Sequence, residues 1–306
     1  MTERILVIKL GALGDFVQAM GPAAAIRVHH PQAHITLLTT PAYAELGRQA
    51  PYFDAVWVDE RAGWTRPWAL FALARRLRRG AFDRVYDLQT SDRSSLYFHL
   101  LWPRHPQWSG IAAGASHPHA NPDRDRMHTV DRQRDQLAMA GIATVPPPDM
   151  SWAASDISRF RLPDRFVLLV PGGSRHRPEK RWPAGRFMRL ASFLTNLGLP
   201  PVLVGGSDDI AAGAEIARDC PAAYNLIGRT GFGDLVALGG ACFYAVGNDT
   251  GPMHLIVAGG APATVLYSAA SDPALTAPRG ARVTILRRDD LGDLPVEAVA
   301  ATLPLR

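Results

Sequence analysis

Short apolar runs alternate with helical patterns along the chain, and glycine-rich or polar turns close several of the runs. Arg4-Ile-Leu-Val-Ile-Lys9 is the first run. Gly11-Ala-Leu-Gly-Asp15 follows it and opens a helical pattern that continues to about residue 29. Strand-like runs recur at 35–38, 55–58 and 83–87, with helical patterns at 41–49, 67–79 and 91–101. Runs that are apolar at consecutive positions suit a parallel sheet covered by helices on both faces. The stretch 103–127 is rich in His, Pro, Gly, Asn and Asp and reads as a long loop, followed by a helix over 129–140. Pro146-Pro-Pro148 marks a linker, after which the pattern restarts. Strands are expected at 166–170, 201–204, 242–246, 263–267 and 283–286, and a last helix at 295–302. The fold class predicted is α/β, with two doubly wound Rossmann-like domains over 1–155 and 156–306. The final helix is free to pack back on the first domain.

The length of 306 residues supports two domains, and 47% hydrophobic residues suffice for two cores. A net charge of +5 points to an anionic ligand, nucleic acid or a membrane surface. No basic stretch is interleaved with aromatics or shaped as a recognition helix, which argues against nucleic acid. The two cysteines have no metal or disulfide spacing, as expected in a reducing cytoplasm. A monomer is expected. Asp15 interrupts the first apolar stretch, so no signal peptide is expected. Gly and Pro break the apolar residues of 255–270, so any membrane attachment is expected to be peripheral.

Four stretches can carry chemistry. Cys242-Phe-Tyr-Ala-Val246 reads as a buried strand leading into Gly247-Asn-Asp-Thr-Gly-Pro-Met-His254. Thr or Asp before Pro252 suits a helix start, with Pro252 at the first helical position. The amides near Asp249, Thr250 and Gly251 can bind phosphate, with His254 one turn in. Alone, the same stretch is an ordinary capped helix. Pro171-Gly-Gly-Ser leads into a basic segment with six Lys or Arg and one Glu from Arg175 to Arg189. Gly172 and Ser174 let amides approach an anion, and Lys180 adds charge, so a phosphate clamp is favoured over a solvated loop. Asp208 and Asp209 follow a strand and either bind ribose hydroxyls or cap the next helix.

Asp15 is either a helix-start charge or a base facing a ligand at a strand end. The G-x-x-G-D spacing lacks the dinucleotide fingerprint, and no acid ends the second strand, which argues against a nicotinamide dehydrogenase. Arginines without an intervening acid occupy 61–79. Arg78 and Arg79 are expected to form only a solvated face, while Arg61, Arg66 and Arg93 are candidates for a polyanionic acceptor. No His, Asp or Glu grouping has metal-site spacing.

These stretches together resemble glycosyltransferase family 9, the heptosyltransferases, over nearly the whole chain. The resemblance rests on Ile5-Leu-Val-Ile-Lys-Leu-Gly-Ala-Leu-Gly-Asp15, Pro171-Gly-Gly-Ser with Lys180-Arg-Trp-Pro183, Asn225-Leu-Ile-Gly-Arg-Thr230 and Gly247-Asn-Asp-Thr-Gly-Pro-Met-His254. It implies a GT-B architecture, with the two domains facing across a cleft. It further implies inverting, metal-independent transfer from a nucleotide sugar, ADP-heptose, to an anionic lipopolysaccharide inner-core acceptor at the inner face of the inner membrane. No cofactor is implied. Asp15 matches the family's general base and Lys180 its phosphate-contacting lysine. Asp249, Thr250 and Gly251 match its diphosphate loop, and Asp208 or Asp209 lies near its ribose acid. A catalytically inactive nucleotide-sugar or phosphosugar binding protein is the alternative. Many relatives carry serine before the Gly-Asp turn, where this chain has Gly11-Ala12.

Overall fold

The computed structural model describes residues 2–61, 66–174 and 176–305. Among them the chain forms two six-stranded sheets in two compact units, divided between Pro148 and Asp149. The division falls directly after the proline linker, ahead of the boundary expected at 155.

In the first unit the elements are β1 (Arg4–Ile8), α1 (Leu13–Gln18), α2 (Met20–His29), β2 (His34–Thr39), α3 (Pro41–Gln49) and β3 (Ala55–Val58). They continue with α4 (Pro67–Arg79), β4 (Arg84–Asp87), α5 (Asp92–Leu100), β5 (Gln107–Gly110), β6 (His117–Pro118) and α6 (Thr129–Met139). Every pairing is parallel, in the order β3-β2-β1-β4-β5-β6. Ile5, Leu6, Val7 and Ile8 are at most 1% exposed, as befits a central strand buried on both faces.

Two expectations change here. The helix expected to run to residue 29 is split at Ala19. Pro22 has no N–H for a helical bond to residue 18, so it is best accommodated in the first turn of a new helix. The expected loop at 103–127 supplies β5 and β6, which extend the sheet. Only Trp108 in Gln107-Trp-Ser-Gly110 is strongly apolar, and its full burial reveals a strand that composition conceals.

The second unit contains β7 (Val167–Val170), α7 (Ala184–Asn196), β8 (Pro201–Leu203), α8 (Ile210–Asp219), β9 (Tyr224–Asn225) and α9 (Phe232–Ala241). After these come β10 (Tyr244–Asn248), α10 (Gly251–Ala258), β11 (Ala263–Tyr267), α11 (Pro273–Thr276), β12 (Val283–Arg287) and α12 (Val296–Ala300). The parallel order is β12-β11-β10-β7-β8-β9. Counted from β7, this repeats the strand order of the first sheet although the sequences do not repeat. The final helix packs on α7, where Val296 and Val299 join the core containing Leu190 and Leu194. Cys220 and Cys242 are buried and free. Among the described residues no helix is long and apolar enough to cross a membrane.

The topology locates the candidate sites. Each sheet grows outward in both directions from its central pair, β1 with β4 and β7 with β10. At such switch points the loops beyond the carboxyl ends of the strands diverge and leave room for a ligand. The segments that follow β1, β7 and β10 carry Asp15, Lys180 and Asp249.

Candidate functional site

In the second unit, Asn248 ends β10 and is fully buried. Its Nδ2 donates to the carbonyls of Pro171 at 2.9 Å and Gly172 at 3.1 Å, and its Oδ1 accepts from the Trp182 amide at 3.0 Å. The Arg181 guanidinium donates to the Gly173 carbonyl. In a trans peptide the N–H points opposite to the preceding carbonyl. The amides of Gly172 and Gly173 therefore point away from Asn248, and that of Ser174 away from Arg181. Successive amides left facing outward are the kind of group with which a loop can bind an anion without a side-chain charge. Arg175 in the same basic segment lies outside the described residues.

Lys180 and Asp249 meet across this loop. Lys180 Nζ donates to Asp249 Oδ2 at 2.6 Å, and Ser271 Oγ donates to the same oxygen at 2.6 Å. Only 14% of the lysine side chain and 9% of the aspartate side chain are exposed. Burial pushes the Asp249 carboxyl up, but the hydrogen bonds from Lys180 and Ser271 and the lysine charge hold it below the usual carboxylate range. The contact holds the Lys180 ammonium against Asp249, and a carboxylate in that position could anchor the lysine rather than meet a phosphate itself. The adjoining Thr250 is the extended N-cap of α10, yet its side chain makes no capping bond. Gly251 takes the first helical position and Pro252 the second, one later than expected. His254 is buried in the first turn.

Asp208 and Asp209 separate clearly. Asp209 is 6% exposed, accepts from the Gly206 amide at 3.1 Å and lies 3.3 Å from Arg181. A Cβ on Gly172 would stand 2.0 Å from Asp209 Oδ2, so the glycine is required by this buried carboxylate. That reason differs from the anion approach expected of Gly172. Asp208 is exposed.

In the first unit, Asp15 is the third residue of α1 and accepts from the Ala12 amide at 3.3 Å. Around it is a charged group that the sequence reading missed. Lys9 is 4% exposed and donates to the Leu88 carbonyl at 3.0 Å. Burial pushes its ammonium down, the charge of Asp15 pulls it back up, and Arg132 and Asp87 contribute in opposite senses. Burial and Arg124 likewise lower Arg132, against Asp15 and Asp125. A polar residue closing an apolar strand run, as Lys9 and Asn248 both do, is the sequence signal that marks such positions.

Asp87 is fully buried beside Lys9 and accepts at Oδ1 from the Gln89 and Thr90 amides at 3.1 and 2.9 Å. Burial pushes its carboxyl up to about 6, against those bonds, Ser94 and the Lys9 charge. A folded pKa above the unfolded one means that the folded protein holds the extra proton. The resulting stability is present below about pH 4 and lost as pH rises through about 6. Compared with the parent, Asp87→Asn should gain stability over that window, by up to about 3 kcal/mol. Urea unfolding at several pH values measures this, and a pH-independent difference would exclude buried ionisation at Asp87.

The three arginines proposed for the acceptor fare differently. Arg61 and Arg66 are exposed. Arg93 pairs with Asp59 through two bonds of 2.9 Å and also donates to the Tyr97 hydroxyl at 2.7 Å. Tyr97 donates to Asp59 as well. The Arg93 charge is thus paired with Asp59, and the contact ties α5 to the residue that follows β3. Among the described residues no three or more His, Cys, Asp or Glu side chains cluster as metal ligands would.

The family model for glycosyltransferase family 9 (heptosyltransferase) matches residues 70–299. Lipopolysaccharide heptosyltransferase 2 of Salmonella typhimurium is 27% identical over 308 residues, covering 93% of this chain and 88% of the relative. Among solved structures, Escherichia coli ADP-heptose LPS heptosyltransferase II gives a TM-score of 0.78 at 23% identity, covering 98% of this chain and 97% of that one. The Escherichia coli heptosyltransferase WaaC with ADP gives 0.77 at 18% identity, covering 97% and 98%. The structural likenesses establish two Rossmann-like domains of the GT-B class.

Proposed function

Because the chain belongs to glycosyltransferase family 9, we propose that it moves heptose from ADP-heptose to a lipopolysaccharide inner-core acceptor, with inversion and without a metal ion. That it is a glycosyltransferase of the heptosyltransferase kind follows from the family match and the full-length relatives.

The observation that carries it is the Lys180–Asp249 pair beside the amide-lined loop at 171–174. Departure of a nucleoside diphosphate builds negative charge on the leaving oxygen. Fixed amides and an aimed ammonium stabilise that charge without reorganising at the moment of reaction. In the first unit Asp15 supplies the base. It takes the acceptor hydroxyl proton as the oxygen bonds to the anomeric carbon and the carbon–phosphate oxygen bond breaks. Attack opposite the leaving group inverts the configuration. The acceptor is placed at the inner face of the inner membrane, with the enzyme peripheral to it.

A thermal-shift series with ADP, UDP and GDP and their sugars tests the donor. ADP-heptose should give the largest rise in Tm, because a ligand bound only by the folded state stabilises it. A larger rise with UDP or GDP sugars would remove the ADP-heptose assignment. Binding without sugar transfer would favour the inactive binding protein instead.

A further inference from the structure

Helix α4 presents a face used neither by the sheet nor by the chemistry proposed above. Leu73, Ala74 and Leu77 turn inward, whereas Trp68 and Phe71 are each 67% exposed. Their i, i+3 spacing sets both rings on one side of the helix. Arg75 and Arg79 continue that side one and two turns further on, with Arg78 beside them, all exposed. From Arg61 to Phe82 the sequence contains no acid. Alongside lies a recess of about 390 Å³ with Trp57, Phe71 and Ala72 as its apolar wall and Arg75, Arg76 and Arg79 at its rim. The Arg76 guanidinium stacks over Trp57 at 4.5 Å.

We propose that this face of α4 docks on an anionic phospholipid bilayer, with Trp68 and Phe71 at the headgroup boundary and Arg75, Arg78 and Arg79 against the lipid phosphates. Exposed aromatics backed by arginines on one helix are the chemistry of interfacial binding. Charge complementarity selects the occupant. A second copy docked through the same face would bring arginines against arginines with no acid to compensate. Because α4 follows β3 and runs back along the sheet, Trp68 lies toward the carboxyl edge. Asp15 follows β1 at that same edge. Docking there brings the proposed base toward a lipid-borne acceptor. The inference deepens the peripheral placement proposed above and rests on it only for that last step.

The full chain should float with vesicles of phosphatidylcholine and phosphatidylglycerol, and much less with phosphatidylcholine alone. Added salt should weaken the binding. Trp68→Ser with Phe71→Ser should lower partitioning by at least about tenfold. Arg75→Gln with Arg79→Gln should remove most of the preference for anionic vesicles. Both variants should keep parental transfer to a water-soluble acceptor fragment, which also shows that they fold. The docking assignment is overturned if the ring variant floats like the parent, or if the parent does not float. It is equally overturned if the rings prove to hold a dimer that dissociates in the variant. Vesicle binding with no sugar transfer by the parent would defeat the proposed function and leave the docking surface standing.

Discussion

Replacement of Asp15 by asparagine is expected to lower kcat by about 10²–10⁴-fold, the usual contribution of a general base. Asparagine retains an oxygen able to accept from the Ala12 amide, the 3.3 Å bond at the start of α1. It removes the basic carboxylate alone. Unfolding should therefore change little, and affinity for the nucleotide sugar should stay near the parental value, since the donor is assigned to the second unit. Asp15 also faces the buried Lys9, whose charge it favours. Loss of the carboxylate makes a neutral Lys9 easier to form, so the variant should show this lysine titrating at lower pH. Rate measurements at saturating donor, paired with denaturant unfolding, separate lost chemistry from lost structure. A folded Asp15→Asn enzyme turning over at the parental rate would remove the base assignment.

The sequence displays what local patterning controls. A run apolar at four of its five positions, Ala263-Thr-Val-Leu-Tyr267, marks β11 at its observed bounds, and the inward-facing Leu73, Ala74 and Leu77 mark α4. The strand-to-glycine-turn junctions point to the loops after β1, β7 and β10. Partnerships between distant segments are not legible in this way. Asn248 holds the loop at Pro171, 77 positions away, and Arg93 finds Asp59, 34 positions away. Both pairings depend on which strands are neighbours. Asp208 and Asp209 differ in burial because the short turn at 207–209 rotates one inward and leaves the other in solvent. That phase is set by the fit of Asp209 against Gly172, which composition does not express. The helix start at Gly251 rather than Pro252 is not legible because glycine can enter a helix as readily as end a loop. The arginines of the first domain likewise look alike in sequence, and only the fold distinguishes the paired Arg93 from the exposed Arg61 and Arg66.

Lys180→Ala should lower kcat/KM by about 10²–10³-fold, the typical cost of removing one transition-state charge contact. Part of this loss should come from what the substitution exposes. Without the lysine, Asp249 retains the Ser271 hydroxyl bond but loses the cation 2.6 Å away. A buried carboxylate left in this state costs stability and repels the diphosphate. Asp249→Asn alone should be milder, about tenfold in the rate constant, because Lys180 keeps its charge and loses only its aim. The double variant should then perform no worse than Lys180→Ala, since neutralising Asp249 removes the repulsion. Such non-additivity is the signature of two residues acting as one unit. Equilibrium binding of ADP to the four proteins would resolve the ground-state part. If the effects of the single substitutions simply multiply, Asp249 does not act through Lys180, and the anchoring role assigned to this pair fails.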